Sequence, residues 1–249
     1  MTRIFRFLSL AAVLVAASAG LMPAKADIYV VESSVPAIAA GSRLADSASI
    51  AIPAGGYIRA VLPSGKTQTI RGPYNGAVAD LGKGQARNEG VMAWIRGMLE
   101  KGGSNEATPG ATRSIGRESA KPRTGFSWSV VPVADGTVCV EKGAKLQLAR
   151  AASARSDRIT VIDTANATRG EAQWEAGSEV AAWPANVVPS PDAIYYLLAP
   201  ERPQLEITLR VLERLPADGD VLTELHRLGC KSQFEAWVRE KMAASKRGS

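Results

Sequence analysis

The chain has 249 residues, 46% of them hydrophobic and 22% charged, and 30 basic against 24 acidic side chains give a formal net charge of +6. Three of the basic residues, Arg3, Arg6 and Lys25, and none of the acids fall in the first 26 positions, so residues 27–249 carry only +3. A charge that dilute argues against nucleic acid as a partner, because that binding needs clustered phosphate contacts, while the length suffices for one large or two small cores.

The first element reads as an export signal. Arg3 and Arg6 make a positive start, residues 8–22 form an uncharged apolar run, and Ala24-Lys25-Ala26 places small residues where a signal peptidase reads them. The run is shorter than the ~20 apolar residues that span a bilayer. The expected outcome is cleavage after Ala26 and a periplasmic or secreted chain. No later stretch of the sequence is long and apolar enough to cross a membrane.

Residues 27–101 form a first block. Strands are expected at 27–32, 49–52, 57–62 and 67–71, separated by Gly- and Pro-containing breaks. In the third, Ile58, Ala60 and Leu62 share one face and Arg59 lies on the other. Pro63-Ser64-Gly65-Lys66 then has turn chemistry, because Pro presets one backbone angle and Gly accepts positive φ. A helix closes the block. Val91, Met92, Trp94, Ile95, Met98 and Leu99 have the spacing of one buried face, with Asn88 as N-cap and Gly102-Gly103 as the end. Residues 102–125 are Gly-rich and almost devoid of apolar side chains, so they read as a flexible linker. Arg113, Arg117, Lys121 and Arg123 make this linker basic and a candidate contact for an acidic surface.

Residues 126–245 form a second, strand-rich block. Strands are expected at 127–133, 137–141, 145–151, 158–163, 172–174, 179–183, 193–198 and 205–212, at the spacing of a β-sandwich. Ala134-Asp135-Gly136 signals a hairpin. Asp220 caps a helix carrying Val221, Leu222, Leu225 and Leu228 that Gly229 stops. Ser232 and Glu235 have the spacing of a capping box for a last helix with Phe234, Trp237 and Val238. Cys139 and Cys230, the only cysteines, are expected to pair in an oxidising compartment. The bridge would close a loop of about 90 residues, worth up to about 4–5 kcal/mol on the loop-entropy treatment.

Catalytic and metal chemistry find little support in the residues. Gly65-Lys66-Thr67 has the letters of a phosphate loop, but G-x-x-x-x-G-K-[ST] requires Gly where Ala60 stands and a helix where residues 67–71 are β-prone. One His and two distant Cys do not make a zinc site, and no calcium-loop spacing occurs. His226 lacks the partners of a Ser-His-Asp arrangement. Glu171, Glu175 and Glu179 would serve a hydrolase only if the fold faced two carboxylates across a cleft. No catalytic residue, metal or cofactor is therefore assigned. Among the aromatics, Trp128 and Trp174 are expected in the core, while Trp183, Tyr195 and Tyr196 are the surface-binding candidates. The two tyrosines are adjacent and so point to opposite faces of a strand.

Residues 40–76 also carry a resemblance. Gly41, Leu44, Ile50, Ile52, Pro53, Gly55, Val61, Gly65, Lys66, Ile70, Gly72 and Pro73 follow the pattern of the periplasmic FecR-like domain. That pattern is a G-x-x-L turn, a short strand, "PAG", then a strand–"SGK"–strand hairpin and Gly-Pro. The resemblance implies a small β domain of an envelope-signalling system. FecR proteins reach a cytoplasmic sigma factor through a membrane helix, whereas this sequence has an export signal and no later membrane-length stretch. The expected fold is mainly β: a FecR-like domain with one helix, then a β-sandwich-like domain with C-terminal helices. The expected function is non-enzymatic binding of an envelope protein partner, with glycan or cell-wall binding as the alternative and a hydrolase as a second alternative.

Overall fold

The computed structural model describes residues 27–103 and 125–247. The fold is mixed α/β and mostly strands, with its helices at the end of the first block and at the C-terminal end. Among the described residues, no helix is long and apolar enough to cross a membrane.

The N-terminal part is built on an antiparallel sheet in the order β2 (Arg43–Leu44), β1 (Ile28–Ser33), β4 (Tyr57–Val61), β5 (Thr67–Arg71). A two-stranded pair, β3 (Ser49–Ile52) with β6 (Tyr74–Ala77), lies beside it and leads into the single turn α1 (Val78–Leu81). The unbroken apolar run at the start of β1 has a direct cause: the strand is buried on both faces. Ile28 and Val30 join Ile50, Ile52, Ile58, Ala60 and Leu62 in one core, while Tyr29 and Val31 enter a second. The expected alternation of β4 is present, with Ile58, Ala60 and Leu62 inward and Arg59 on the opposite side near Trp237.

The second core joins the two parts of the chain. Val61 and α2 (Glu89–Gly103), through Val91, Met92 and Ile95, meet the C-terminal helices α3 (Val221–Leu228) and α4 (Lys231–Arg247). Asn88 caps α2 as expected, its Oδ1 accepting the Val91 N–H at 3.1 Å. At the far end of α4, Ser245 Oγ donates to the Ser33 carbonyl at 2.7 Å and accepts the Ser33 N–H at 3.1 Å.

The remaining strands make two sheets. One has five strands in the order β11 (Arg169–Trp174), β10 (Asp157–Asp163), β13 (Ile194–Leu198), β14 (Leu205–Leu212), β8 (Gly136–Glu141). The other has three, β12 (Val180–Ala182), β9 (Gln147–Ala149), β7 (Val130–Pro132). The pairs β8–β14 and β7–β9 are parallel and the others antiparallel. Trp174, Tyr195, Leu197, Ile207 and Leu209 from the larger sheet share a core with Val131, Leu148 and Ala181 from the smaller.

Three local expectations are corrected. Ala134-Asp135-Gly136 does not close a hairpin: β7 and β8 belong to different sheets, and the turn passes the chain between them. Asp135 is held there by accepting the Glu206 N–H at 2.7 Å. Asp220 makes no side-chain cap bond to α3, because its carboxylate instead meets Lys66 at 3.0 Å. α4 starts at Lys231, so Ser232 lies inside the first turn rather than at the cap. Gly229, with φ +78, ends α3 as expected, and the Cys230 carbonyl accepts the Phe234 N–H to begin α4.

Candidate functional site

The disulfide organises the candidate site. Cys139 on β8 and Cys230 just before α4 are bridged, 91 residues apart in sequence with Cα atoms 5.8 Å apart, and both are fully buried. This pins the first turn of α4 to the free edge of β8. Gln233, in the first turn of the helix and 4% exposed, completes the attachment. Its Oε1 accepts the Cys139 N–H at 2.7 Å, and its Nε2 donates to the Cys139 carbonyl at 2.7 Å and the Ser127 carbonyl at 2.9 Å. The side-chain amide thus pairs with Cys139 as a neighbouring strand would, and it blunts a sheet edge that would otherwise be open. The next outward-facing residue, Glu141, donates its N–H to the Trp128 carbonyl at 2.9 Å.

A groove of about 360 Å³ runs alongside this junction, between α4, β7 and the 134–135 turn. Phe126, Val130, Pro132 and Ala236 supply apolar wall, and Lys231 and Arg239 are among its polar lining residues. Phe126 is fixed twice: its ring packs edge-to-face on Trp128 with centroids 4.9 Å apart, and its N–H donates to Glu240 Oε2 at 2.9 Å. Volume, apolar lining and a few placed polar groups are the usual attributes of a ligand site. Its walls are a disulfide-anchored helix and a sheet edge, so the shape is held rigidly. The cysteines were legible as a pair in the sequence. The groove was not, because its residues come from segments about 100 positions apart that only the fold brings together.

The structure separates the surface candidates among the aromatics. Trp183 and Tyr195 are core residues, 8% and 0% exposed, which corrects the expectation for both. Their rings pack edge-to-face with centroids 5.3 Å apart. Their polar atoms find main-chain partners in the loop after β12. Trp183 Nε1 donates to the Val187 carbonyl at 2.7 Å, and Tyr195 Oη donates to the Val188 carbonyl at 3.2 Å and accepts the Ser190 N–H at 2.8 Å. Burial pushes the Tyr195 hydroxyl pKa up. Tyr196, on the other face of β13, is half-buried. Arg113, Arg117, Lys121 and Arg123 lie outside the described residues.

The other candidates fall in unrelated places. Gly65, with φ +82, sits in the β4–β5 turn against Val91, and Thr67 begins a strand rather than a helix. The Thr67 N–H donates to the Gly219 carbonyl at 2.8 Å, Lys66 meets Asp220, and Arg59 pairs with Asp218. The hairpin is therefore a docking element for the loop before α3. His226 packs edge-on to Trp94 with centroids 4.7 Å apart and so close to Gly90 that no Cβ would fit there. Glu171 is exposed and pairs with Arg158 at 3.4 Å, Glu175 is exposed, and Glu179 is half-buried with its carbonyl accepting from Trp174 Nε1. Among the described residues, no group of three or more His, Cys, Asp or Glu could hold a metal ion. Comparison with protein-family models, with curated proteins and with solved structures finds no match to this chain.

Proposed function

We propose that this chain is an exported, non-enzymatic binding protein of the bacterial envelope, in which a β-sandwich-like domain, following a FecR-like β domain, presents a docking face to a protein partner. The observation that carries this reading is the groove beside α4. It is apolar in its walls and anchored by the Cys139–Cys230 bridge and the Gln233 amide. An exported chain suits such an anchor, since disulfides persist in oxidising compartments. By sequence, Arg123 stands two residues before Gly125 in the groove wall, so the basic stretch 113–123 adds long-range attraction for an acidic partner surface. The partner belongs to an envelope-signalling system in this reading, as the resemblance of residues 40–76 implies.

Glycan binding keeps two footholds, Tyr196, half-buried on the other face of β13, and Phe126 at the groove wall, now that Trp183 and Tyr195 lie in the core. Phe126 is the single aromatic ring lining the groove, which favours a protein partner.

Photo-crosslinking in an envelope extract, with wild type and an Ala236→Arg variant side by side, tests the proposal. Ala236 is half-buried in the groove wall, so Arg there fills the groove while remaining compatible with a helix. A protein crosslinked by wild type and lost in the variant is the expected result. A crosslinking pattern unchanged by the variant would overturn the groove as the docking face.

A further inference from the structure

Resting on that reading, we infer that the groove takes an extended, acidic segment of the partner chain, laid beside β7 and paired with its main chain. The pairing pattern of β7 shows why. β7 is the last strand of its sheet, and β9 satisfies it on one side only. Gln147 N–H donates to the Ser129 carbonyl and Val133 N–H to the Ala149 carbonyl. Residues 129, 131 and 133 therefore face β9, and alternation turns the Val130 N–H and carbonyl outward. Val130 lines the groove, and among the described residues no hydrogen bond to its outward side is present. The equivalent edge of β8 is closed by Gln233 at Cys139, and the Trp128 and Pro132 carbonyls accept the Glu141 and Ala134 N–H groups, so Val130 is the edge position left open beside the groove. One residue of an extended segment can exchange two hydrogen bonds with Val130, while its neighbours place apolar side chains against Phe126, Pro132 and Ala236.

Charge selects the occupant. Glu235 and Arg239 meet each other at 3.5 Å, and Asp135, which accepts the Glu206 N–H, keeps its charge on the turn after β7 rather than on α4. Lys231 is exposed and has no acidic partner among the described residues. It opens α4, whose first turn holds no acid, so the positive end of the helix adds to its field. An Asp or Glu within one or two residues of the segment's Val130-paired position completes this arrangement.

Selection from a phage-displayed library of random octapeptides tests the inference on the full disulfide-bonded chain, with Lys231→Glu and Ala236→Arg as parallel baits. Wild type should enrich octapeptides with alternating apolar residues and at least one acid, Lys231→Glu should shift the enrichment to basic peptides, and Ala236→Arg should enrich neither. A synthetic copy of an enriched peptide should lose at least tenfold in affinity when the amide facing Val130 is N-methylated. Equal binding by the N-methylated peptide would overturn strand pairing, and acid-independent enrichment would overturn the role of Lys231. Failure of all octapeptides, alongside a crosslinked partner that Ala236→Arg abolishes, would overturn the extended-segment inference while leaving the docking face standing.

Discussion

Gln233→Leu isolates what one buried amide contributes to the junction that shapes the groove. The substitution nearly preserves side-chain volume and removes every polar atom. It deletes the bonds to the Cys139 N–H, the Cys139 carbonyl and the Ser127 carbonyl, leaving three main-chain groups against hydrocarbon. Gln233 is 4% exposed, so water cannot replace the amide unless α4 moves. At about 1–1.7 kcal/mol per stranded group the loss is about 3–5 kcal/mol. Roughly 1 kcal/mol returns from the added apolar burial, for a net cost of about 2–4 kcal/mol. With a urea slope of about 2 kcal/mol/M, the midpoint should fall by about 1–2 M, followed by tryptophan fluorescence with the disulfide intact. A second arm uses Gln233→Glu, which sets a carboxylate against two carbonyl oxygens. Its folded-state pKa is raised above the unfolded value of about 4.3, so its deficit is fullest at neutral pH and shrinks as pH falls through the folded value. A Leu midpoint shift below about 0.3 M, or a Glu deficit that stays flat from neutral pH down to pH ~4, would refute the amide's role.

Four further outcomes are expected. Gly65→Ala should cost about 1–2 kcal/mol, because φ is +82 and the new methyl meets Val91 at 3.0 Å. Lys66→Ala should cost under about 0.5 kcal/mol, its ion pair being solvent-exposed on both sides; equal losses in urea melts would contradict this division. Trp183→Ala should destabilise by about 3–5 kcal/mol as a core truncation, with Tyr196→Ala costing about half of that or less. A fully stable Trp183→Ala in calorimetry would mean the ring is not core.

Asp163 supplies the pH test. Burial disfavours its charged form, but hydrogen bonds from the Asn166 side chain and from the Ala165 and Asn166 N–H groups outweigh this and hold its pKa below the usual value. The stability it contributes is present above the unfolded carboxyl pKa of about 3.9 and is lost as pH falls through the lower folded value. Asp163→Ala should therefore cost about 2–3 kcal/mol at pH ~7, with the gap from wild type narrowing below pH ~4. A gap independent of pH would refute the assignment.

Local pattern made much of the fold readable. The 3.6-residue stripe of α2, the period-two alternation of β4 and the Asn88 cap all depend on neighbours within one turn or strand, and all appear as expected. The disulfide was readable because compartment and cysteine count restrict the choice to one pair. Errors arose where a residue's partner is distant in sequence. Asp220 has the chemistry of an N-cap, but Lys66 lies across the interface and takes its carboxylate. Ala134-Asp135-Gly136 has hairpin chemistry, yet β8 pairs with β14 and β7 with β9. Trp183 precedes a Pro and resembles a rim residue, but the Val187 carbonyl satisfies its indole and lets the ring enter the core.

The sequence by itself determined element types, the single cysteine pair and the turn at Gly65, since each follows from side-chain chemistry acting over a few residues or from there being no alternative partner. Only the tertiary structure decided that the β4–β5 hairpin docks on the loop before α3 and which aromatics are core. It alone disclosed the groove beside α4. Such surfaces depend on which strand edge is left open after every other edge has found a partner, and that is a property of the whole fold rather than of any segment.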